Sequence, residues 1–179
     1  ILMRVVWGGT FDPIHNGHIE LANQLVDRLN LDKLYLMPCF NAVHKGNVAA
    51  SPAQRLKMLE LAIQNHAGLC VDRRELEKQS DSYTYDSLSE LRQEIGSESL
   101  SFVIGTDSQI TYPSWYRAED IYKLANIIIV QRPISSFSLD EKYRNFDDNA
   151  LSSLGFSSIL APNDLKNYVS GKVLKLELA

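Results

Sequence analysis

The sequence predicts an α/β fold built on a parallel sheet, and three observations carry that expectation. Short apolar runs alternate along the chain with longer segments whose apolar residues recur at helical spacing. Two of the runs, Phe102-Val103-Ile104 and Ile127-Ile128-Ile129-Val130, are apolar without interruption, as strands covered on both faces are. The length of 179 residues suits one domain, expected over 1–179, large enough to bury a core without disulfides or metal.

The elements follow in order. Met3–Trp7 is a strand that ends at Gly8-Gly9. From His18 to Leu29 the apolar residues Ile19, Leu21, Ala22, Leu25, Val26 and Leu29 fit a helix. Leu34–Pro38 is the second strand. Ser51 then caps a helix that has Pro52 at its first position, with a stripe of Leu56, Leu59 and Ile63 flanked by Met58 and Ala62. Leu69–Asp72 is the third strand. Ser82 or Thr84 caps the next helix, which runs through Leu88, Leu91 and Ile95 and stops at Gly96. Leu100–Ile104 and Ile127–Val130 are the fourth and fifth strands. Beyond Pro133 the pattern thins to two short strands, Phe156–Leu160 and Lys172–Leu178, around a helix near Asp164–Val169.

Composition narrows the function classes. Apolar residues make up 45% and charged residues 22%, which is ordinary globular usage. A net charge of −4 disfavours non-specific nucleic-acid binding. The longest apolar stretch, Ala125 to Val130, falls far short of the ~20 residues of a membrane span. The opening segment reads as a strand with no basic n-region, so no secretory leader is expected there. Cys39 and Cys70 form no CxxC pair and read as incidental thiols of a cytoplasmic chain.

In a doubly wound sheet, ligands bind at the carboxyl ends of the strands. The loop after the first strand is Gly8-Gly9-Thr10-Phe11-Asp12-Pro13-Ile14-His15-Asn16-Gly17-His18. Its glycines let the backbone turn tightly and approach a ligand. It leads into a helix start, whose free N–H groups and dipole favour an anion. His15 and His18 stand three apart, so both rings can point the same way and donate to phosphates. The loop is neither a Walker A sequence nor GxGxxG. A zinc site on the two histidines, or two unrelated surface or core imidazoles, stays open from the residues alone.

The block Gly-Gly-Thr-Phe-Asp-Pro-x-His-x-Gly-His resembles the signature of the HxGH nucleotidyltransferase superfamily. With His15 present it is similar to the bacterial nicotinate mononucleotide adenylyltransferases; pantetheine-phosphate adenylyltransferases usually carry Thr there. The resemblance implies a doubly wound, Rossmann-like nucleotidyltransferase sheet. It also implies a cytoplasmic enzyme of NAD biosynthesis that uses ATP with Mg²⁺ and nicotinate mononucleotide, and needs no nucleic acid or membrane. His15 and His18 are then the catalytic phosphate contacts, and Gly8, Gly9, Thr10 and Phe11 cradle the nucleotide. Homo-oligomerisation stays open.

Further segments resemble the family. Asn41-Ala42-Val43-His44-Lys45 is similar to its Pro-His-Lys loop, which implies that Lys45 meets the polyphosphate as a point charge rather than being a solvated loop lysine. Arg55, in the following helix, reads as a structural ion-pair partner. Ser82-Tyr83-Thr84 resembles a helix start where Thr84 meets the pyridine carboxylate, beyond any capping role. Ile104-Gly105-Thr106-Asp107 and Trp115-Tyr116 resemble segments that imply a base against Gly105, a nucleotide contact at Asp107, stacking of Trp115 on the nicotinate ring, and Tyr116 beside it. Arg132-Pro133 ends a strand similar to the family's, with Arg132 either lining the dinucleotide site or in a structural salt bridge.

The resemblance is good over 3–133 and weak beyond. The family's Ile-Ser-x-Thr-x-Ile-Arg block, which holds ATP phosphates, is expected just past Lys172–Leu178, where this sequence ends at Ala179. Ile134-Ser135-Ser136 reads as a decoy, since no Arg follows at the required spacing. Three alternatives stay open: transfer to another small phosphate such as phosphopantetheine, a nucleotide-binding module without turnover, and a metal-dependent hydrolase built on the two histidines.

Overall fold

A computed structural model describes residues 2–41, 49–131 and 148–178. The chain divides into two compact units, residues 5–83 and residues 84–179 with 1–4.

In the unit of residues 5–83, the strands are β1 (Met3–Gly9), β2 (Leu34–Pro38) and β3 (Leu69–Val71). They hydrogen-bond in the order β3-β2-β1, and both pairings are parallel, with Gly8 opposite Met37 and Leu36 opposite Val71. The helices are α1 (Asn16–Arg28), α2 (Pro52–Ile63) and the short α3 (Arg74–Glu77). Leu34 and Leu36 of β2 are buried, as are Ala22 and Leu25 of α1 and Leu59 of α2. Fully burying each such side chain contributes roughly 1.5–3 kcal/mol. Ser51 caps α2 as expected, in a reciprocal box with Gln54, and Pro52 opens the helix.

The stripe of α2 differs from the expected one. Its buried row is Arg55, Leu59 and Ile63, a strict i, i+4, i+8 line, while Met58 is exposed. The start of α1 also differs: the helix begins at Asn16, with His15 as its N-cap. Histidine is not among the usual capping residues, so periodicity alone put the start later.

In the other unit, β4 (Ser99–Gly105), β5 (Asn126–Gln131), β6 (Ser157–Ile159) and β7 (Lys172–Glu177) hydrogen-bond in the order β4-β5-β7-β6. Every pairing among them is parallel. Ile127, Ile128 and Ile129 are all fully buried, so β5 is covered on both faces as its sequence predicts. Asn126 is buried too, and its side chain is satisfied by Tyr168 O and the Lys172 N–H, both at 2.9 Å. Those bonds tie the start of β7 to β5. The helices are α4 (Thr84–Ile95), α5 (Thr106–Thr111) and α6 (Asp148–Ser153). Gly96 ends α4 at a left-handed φ of 63°. The helix expected near Asp164–Val169 is a 3₁₀ segment over Pro162–Asn167. No helix among the described residues is long and apolar enough to cross a membrane.

Candidate active site

The loop between β1 and α1 gathers its residues tightly. A Cβ on Gly9 would meet the Phe11 ring at 3.3 Å, so the ring lies against a bare backbone. A Cβ on Gly8 would meet nothing among the described residues closer than Met37 O at 3.9 Å. Space above Gly8 is therefore open rather than filled by packing. Phe11 is buried with a left-handed φ of 47°, a conformation that costs a non-glycine residue roughly 1–2 kcal/mol and needs support. Its ring is held edge-on by Trp7 and His18, each with centroids 5.4 Å away.

The two histidines cap α1 between them. The Gly17 N–H donates to His15 Nδ1 at 3.1 Å, and the His15 N–H donates to His18 Nδ1 at 3.1 Å. Their rings stack with centroids 3.8 Å apart. Because both Nδ1 atoms accept, the hydrogen-bond pattern assigns each neutral ring its proton on Nε2. The result is a stacked pair of imidazoles, their planes 28° apart and each with its proton on Nε2, at a helix N-terminus that attracts anions.

Two residues that the sequence left without a site role hold this loop in place. The Asp12 carboxylate accepts the Ala49 N–H at 2.7 Å and the Ala50 N–H at 3.0 Å. Arg55, fully buried, donates from Nη1 to Thr10 O and from Nη2 to Phe40 O, each at 2.8 Å. Among the described residues its partners are backbone carbonyls, the acceptors a buried loop must satisfy, in place of the expected ion pair. The signal that could have found Arg55 is its place four residues before Leu59 on the apolar row. Cys39 lies next to the loop and its Sγ donates to Thr10 Oγ1 at 3.8 Å. Burial pushes its thiol pKa up, against the opposing Thr10 hydrogen bond, so it stays protonated and inert.

The other unit carries its own cluster. Gly105 ends β4, and a Cβ there would meet no described atom within 4 Å. Thr84 is the first residue of α4. The Tyr85 and Tyr116 rings meet edge to face at 5.9 Å, and the Arg117 guanidinium lies 4.1 Å over the Tyr85 ring. Tyr116 is exposed. Trp115 is half-buried, 5.1 Å from Tyr112 and 6.3 Å from Phe102, with Nε1 donating to Thr111 Oγ1 at 3.1 Å. Tyr112 is buried and donates from its hydroxyl to Ala118 O at 2.9 Å; burial pushes its pKa far up, fixing this support. Lys45 and Arg132 lie outside the described residues. Asp107 is in α5, where only its backbone is described.

A family model described as cytidylyltransferase-like matches residues 6–172. A Marinomonas protein named "Probable nicotinate-nucleotide adenylyltransferase" is 40% identical over 169 residues, which is 94% of this chain and 73% of the relative. The chain belongs to the nicotinate-nucleotide adenylyltransferase family. A second protein of that name, from Cellvibrio japonicus, is 46% identical over 129 residues, covering 72% of this chain and 61% of its own length. The chain thus spans between three-fifths and three-quarters of these nicotinate-nucleotide adenylyltransferases. A solved Plasmodium falciparum nicotinic acid mononucleotide adenylyltransferase complexed with NaAD is similar over 98% of this chain and 75% of its own, with a TM-score of 0.67 and 19% identity. That likeness shows the fold: the Rossmann-like nucleotidyltransferase architecture that the resemblance implied. As a member of the nicotinate-nucleotide adenylyltransferase family, the chain is a nucleotidyltransferase.

Proposed function

We propose that this chain transfers the adenylyl group of ATP to nicotinate mononucleotide, giving nicotinate adenine dinucleotide and pyrophosphate, a step of NAD biosynthesis. Beside family membership, the observation that carries the reading is the histidine pair. Backbone N–H groups donate to both Nδ1 atoms, so each ring carries its proton on Nε2 at the start of α1.

The nucleophile is a phosphate oxygen of the mononucleotide. Its second pKa lies near ~6, so it is largely ionised at neutral pH and needs no general base. It attacks the α-phosphorus of ATP in line; the new P–O bond forms as the bond to pyrophosphate breaks, and the electron pair leaves with pyrophosphate. The protein's work is positioning and charge stabilisation. Rings whose Nδ1 atoms accept from the backbone suit that work, since their Nε2–H groups are the ones assigned to the phosphates. Gly8, Gly9, Thr10 and Phe11 supply the cradle, and Lys45, Gly105, Asp107 and Arg132 are assigned to the nucleotide.

A magnesium ion brought by ATP would supply charge neutralisation at the pyrophosphate leaving group. No group of three or more His, Cys, Asp or Glu residues among those described could hold a metal ion, and Asp12 is committed to two backbone N–H groups. The reading assigns the ion to nucleotide oxygens and water. Thr84, Trp115 and Tyr116 are assigned to the nicotinate ring. N–H groups at the start of α4 favour its carboxylate, whereas an amide asks for an acceptor as well.

Pyrophosphate release with ATP, Mg²⁺ and nicotinate mononucleotide, set beside nicotinamide mononucleotide and phosphopantetheine, tests the reading. Release with the nicotinate substrate in clear excess over the other two is expected. ATP binding without release from any of the three would leave a binding module in its place.

A further inference from the structure

We propose that Arg55 is a positioning residue for the anion-binding loop, acting through the Thr10–Phe11 peptide. The proposal rests on the adenylyl-transfer reading of that loop. Arg55 is only 1% exposed although it carries a full charge. Its two terminal nitrogens reach two separate segments: Thr10, after β1, and Phe40, after β2, each through a carbonyl at 2.8 Å. Among the described residues Nε is buried without a hydrogen-bond partner, so the guanidinium's acceptors there are these two carbonyls. A buried charge is costly unless it is hydrogen-bonded, and here the planar fork donates to two acceptors from two separate nitrogens in one fixed geometry, where lysine offers a single point charge.

The consequence for a ligand follows from peptide geometry. The Thr10–Phe11 bond is trans, and in a trans peptide the N–H points opposite to the C=O. Thr10 O faces the guanidinium, so the Phe11 N–H faces away from it. The charged donor on the carbonyl polarises the peptide and strengthens the N–H as a donor. The left-handed backbone of Phe11 keeps that N–H in a fixed direction, with the ring held by Trp7 and His18. Arg55 therefore presets one donor of the phosphate cradle before substrate arrives, and a preset donor needs no reorganisation during the reaction.

The test uses the full chain as wild type, Arg55→Lys and Arg55→Met, with circular dichroism and thermal melts to fix the folded fraction. Pyrophosphate release is measured while each substrate is varied in turn, and a non-hydrolysable α,β-methylene analogue of ATP is titrated. Arg55→Lys is expected to lose ~10–100-fold in kcat/KM for ATP and to bind the analogue more weakly, with KM for nicotinate mononucleotide little changed. Arg55→Met, which has no donor for either carbonyl, is expected to lose at least as much analogue affinity as Arg55→Lys. A folded Arg55→Lys with wild-type kcat/KM and analogue affinity overturns the proposal. So does a loss explained wholly by a smaller folded fraction, with per-site constants unchanged. Should both variants fail to fold, the wild-type Phe11 amide resonance decides: it is expected to shift on adding the analogue, and no shift overturns the proposal. A wild type that binds the analogue but releases no pyrophosphate removes the adenylyl-transfer reading alone, and the analogue titrations then judge Arg55. A wild type that does not bind the analogue overturns both.

Discussion

His18 has two separable duties, and substitutions can part them. Its Nδ1 accepts the His15 N–H at 3.1 Å, which is half of the cap on α1. Its Nε2–H is the donor assigned to phosphate. Alanine removes both. Asparagine places an amide oxygen near the position of Nδ1 and keeps the cap; glutamine places an amide nitrogen near Nε2 and keeps the donor. Loss of a cap costs about 1 kcal/mol, and the ring also packs against Trp7 and Phe11 at 5.8 and 5.4 Å. For a chain of 179 residues, about 1 kcal/mol lowers Tm by about 2–4 °C. Loss of one preorganised donor costs about 2.7–4 kcal/mol of transition-state stabilisation, or ~10²–10³-fold in kcat. Against a total stability of about 5–15 kcal/mol, the cap term leaves almost every molecule folded, so it cannot mimic the rate effect. Calorimetry and saturating pyrophosphate-release assays on the three variants should therefore cross. His18→Ala loses Tm and rate, His18→Asn recovers the cap's share of Tm but not rate, and His18→Gln recovers part of the rate without that share of Tm. An Asn variant within a few-fold of wild-type turnover would refute the assignment of Nε2.

Other expectations follow from the same geometry. Gly105→Ala should melt like wild type, since its Cβ meets no described atom within 4 Å, yet bind ATP more weakly in a calorimetric titration. Gly155→Ala should be destabilised by about 2–5 kcal/mol in a urea melt, because its Cβ would fall 2.4 Å from the Tyr122 ring at a φ of +98°. Cys39 should alkylate with iodoacetamide more slowly than a free thiol at pH 8. Its raised pKa leaves less thiolate, so its rate should still be climbing above pH 9.

The strands and the main helices were legible because their signals are local. Ser51-Pro52 announces the start of α2, Gly96 the end of α4, and the Ile127–Val130 run a strand covered on both faces. The loop residues were legible through an eleven-residue block of unusual composition. Arg55 was not, because its acceptors lie 45 and 15 residues away and are main-chain carbonyls, which no side-chain pattern reports. Its neighbour Met58 was misplaced for a related reason: hydrophobicity put it on the buried stripe, but the i, i+4 row that faces inward passes through the arginine instead. The tautomer of the two histidines was equally out of reach. Spacing puts them on one side of the helix start, and only the positions of the His15 and Gly17 amides fix where the ring protons sit.

The order β4-β5-β7-β6 has a consequence for the timetable of folding. β7 is the later strand in the chain, yet it lies between β5 and β6, pairing Ile128 with Leu174 on one side and Ile159 with Leu174 on the other. β6 is three residues long and is paired with β7, so it has nothing to join until residues 172–177 have been made. The β5–β7 pairing joins residues about 45 apart in sequence, and bringing such distant segments together before any strand bond compensates slows the step. The histidine loop is under no such delay. Its braces, from Asp12 to Ala50 and from Arg55 back to Thr10 and Phe40, all join residues between 10 and 55, so none of them waits for a strand made later in the chain.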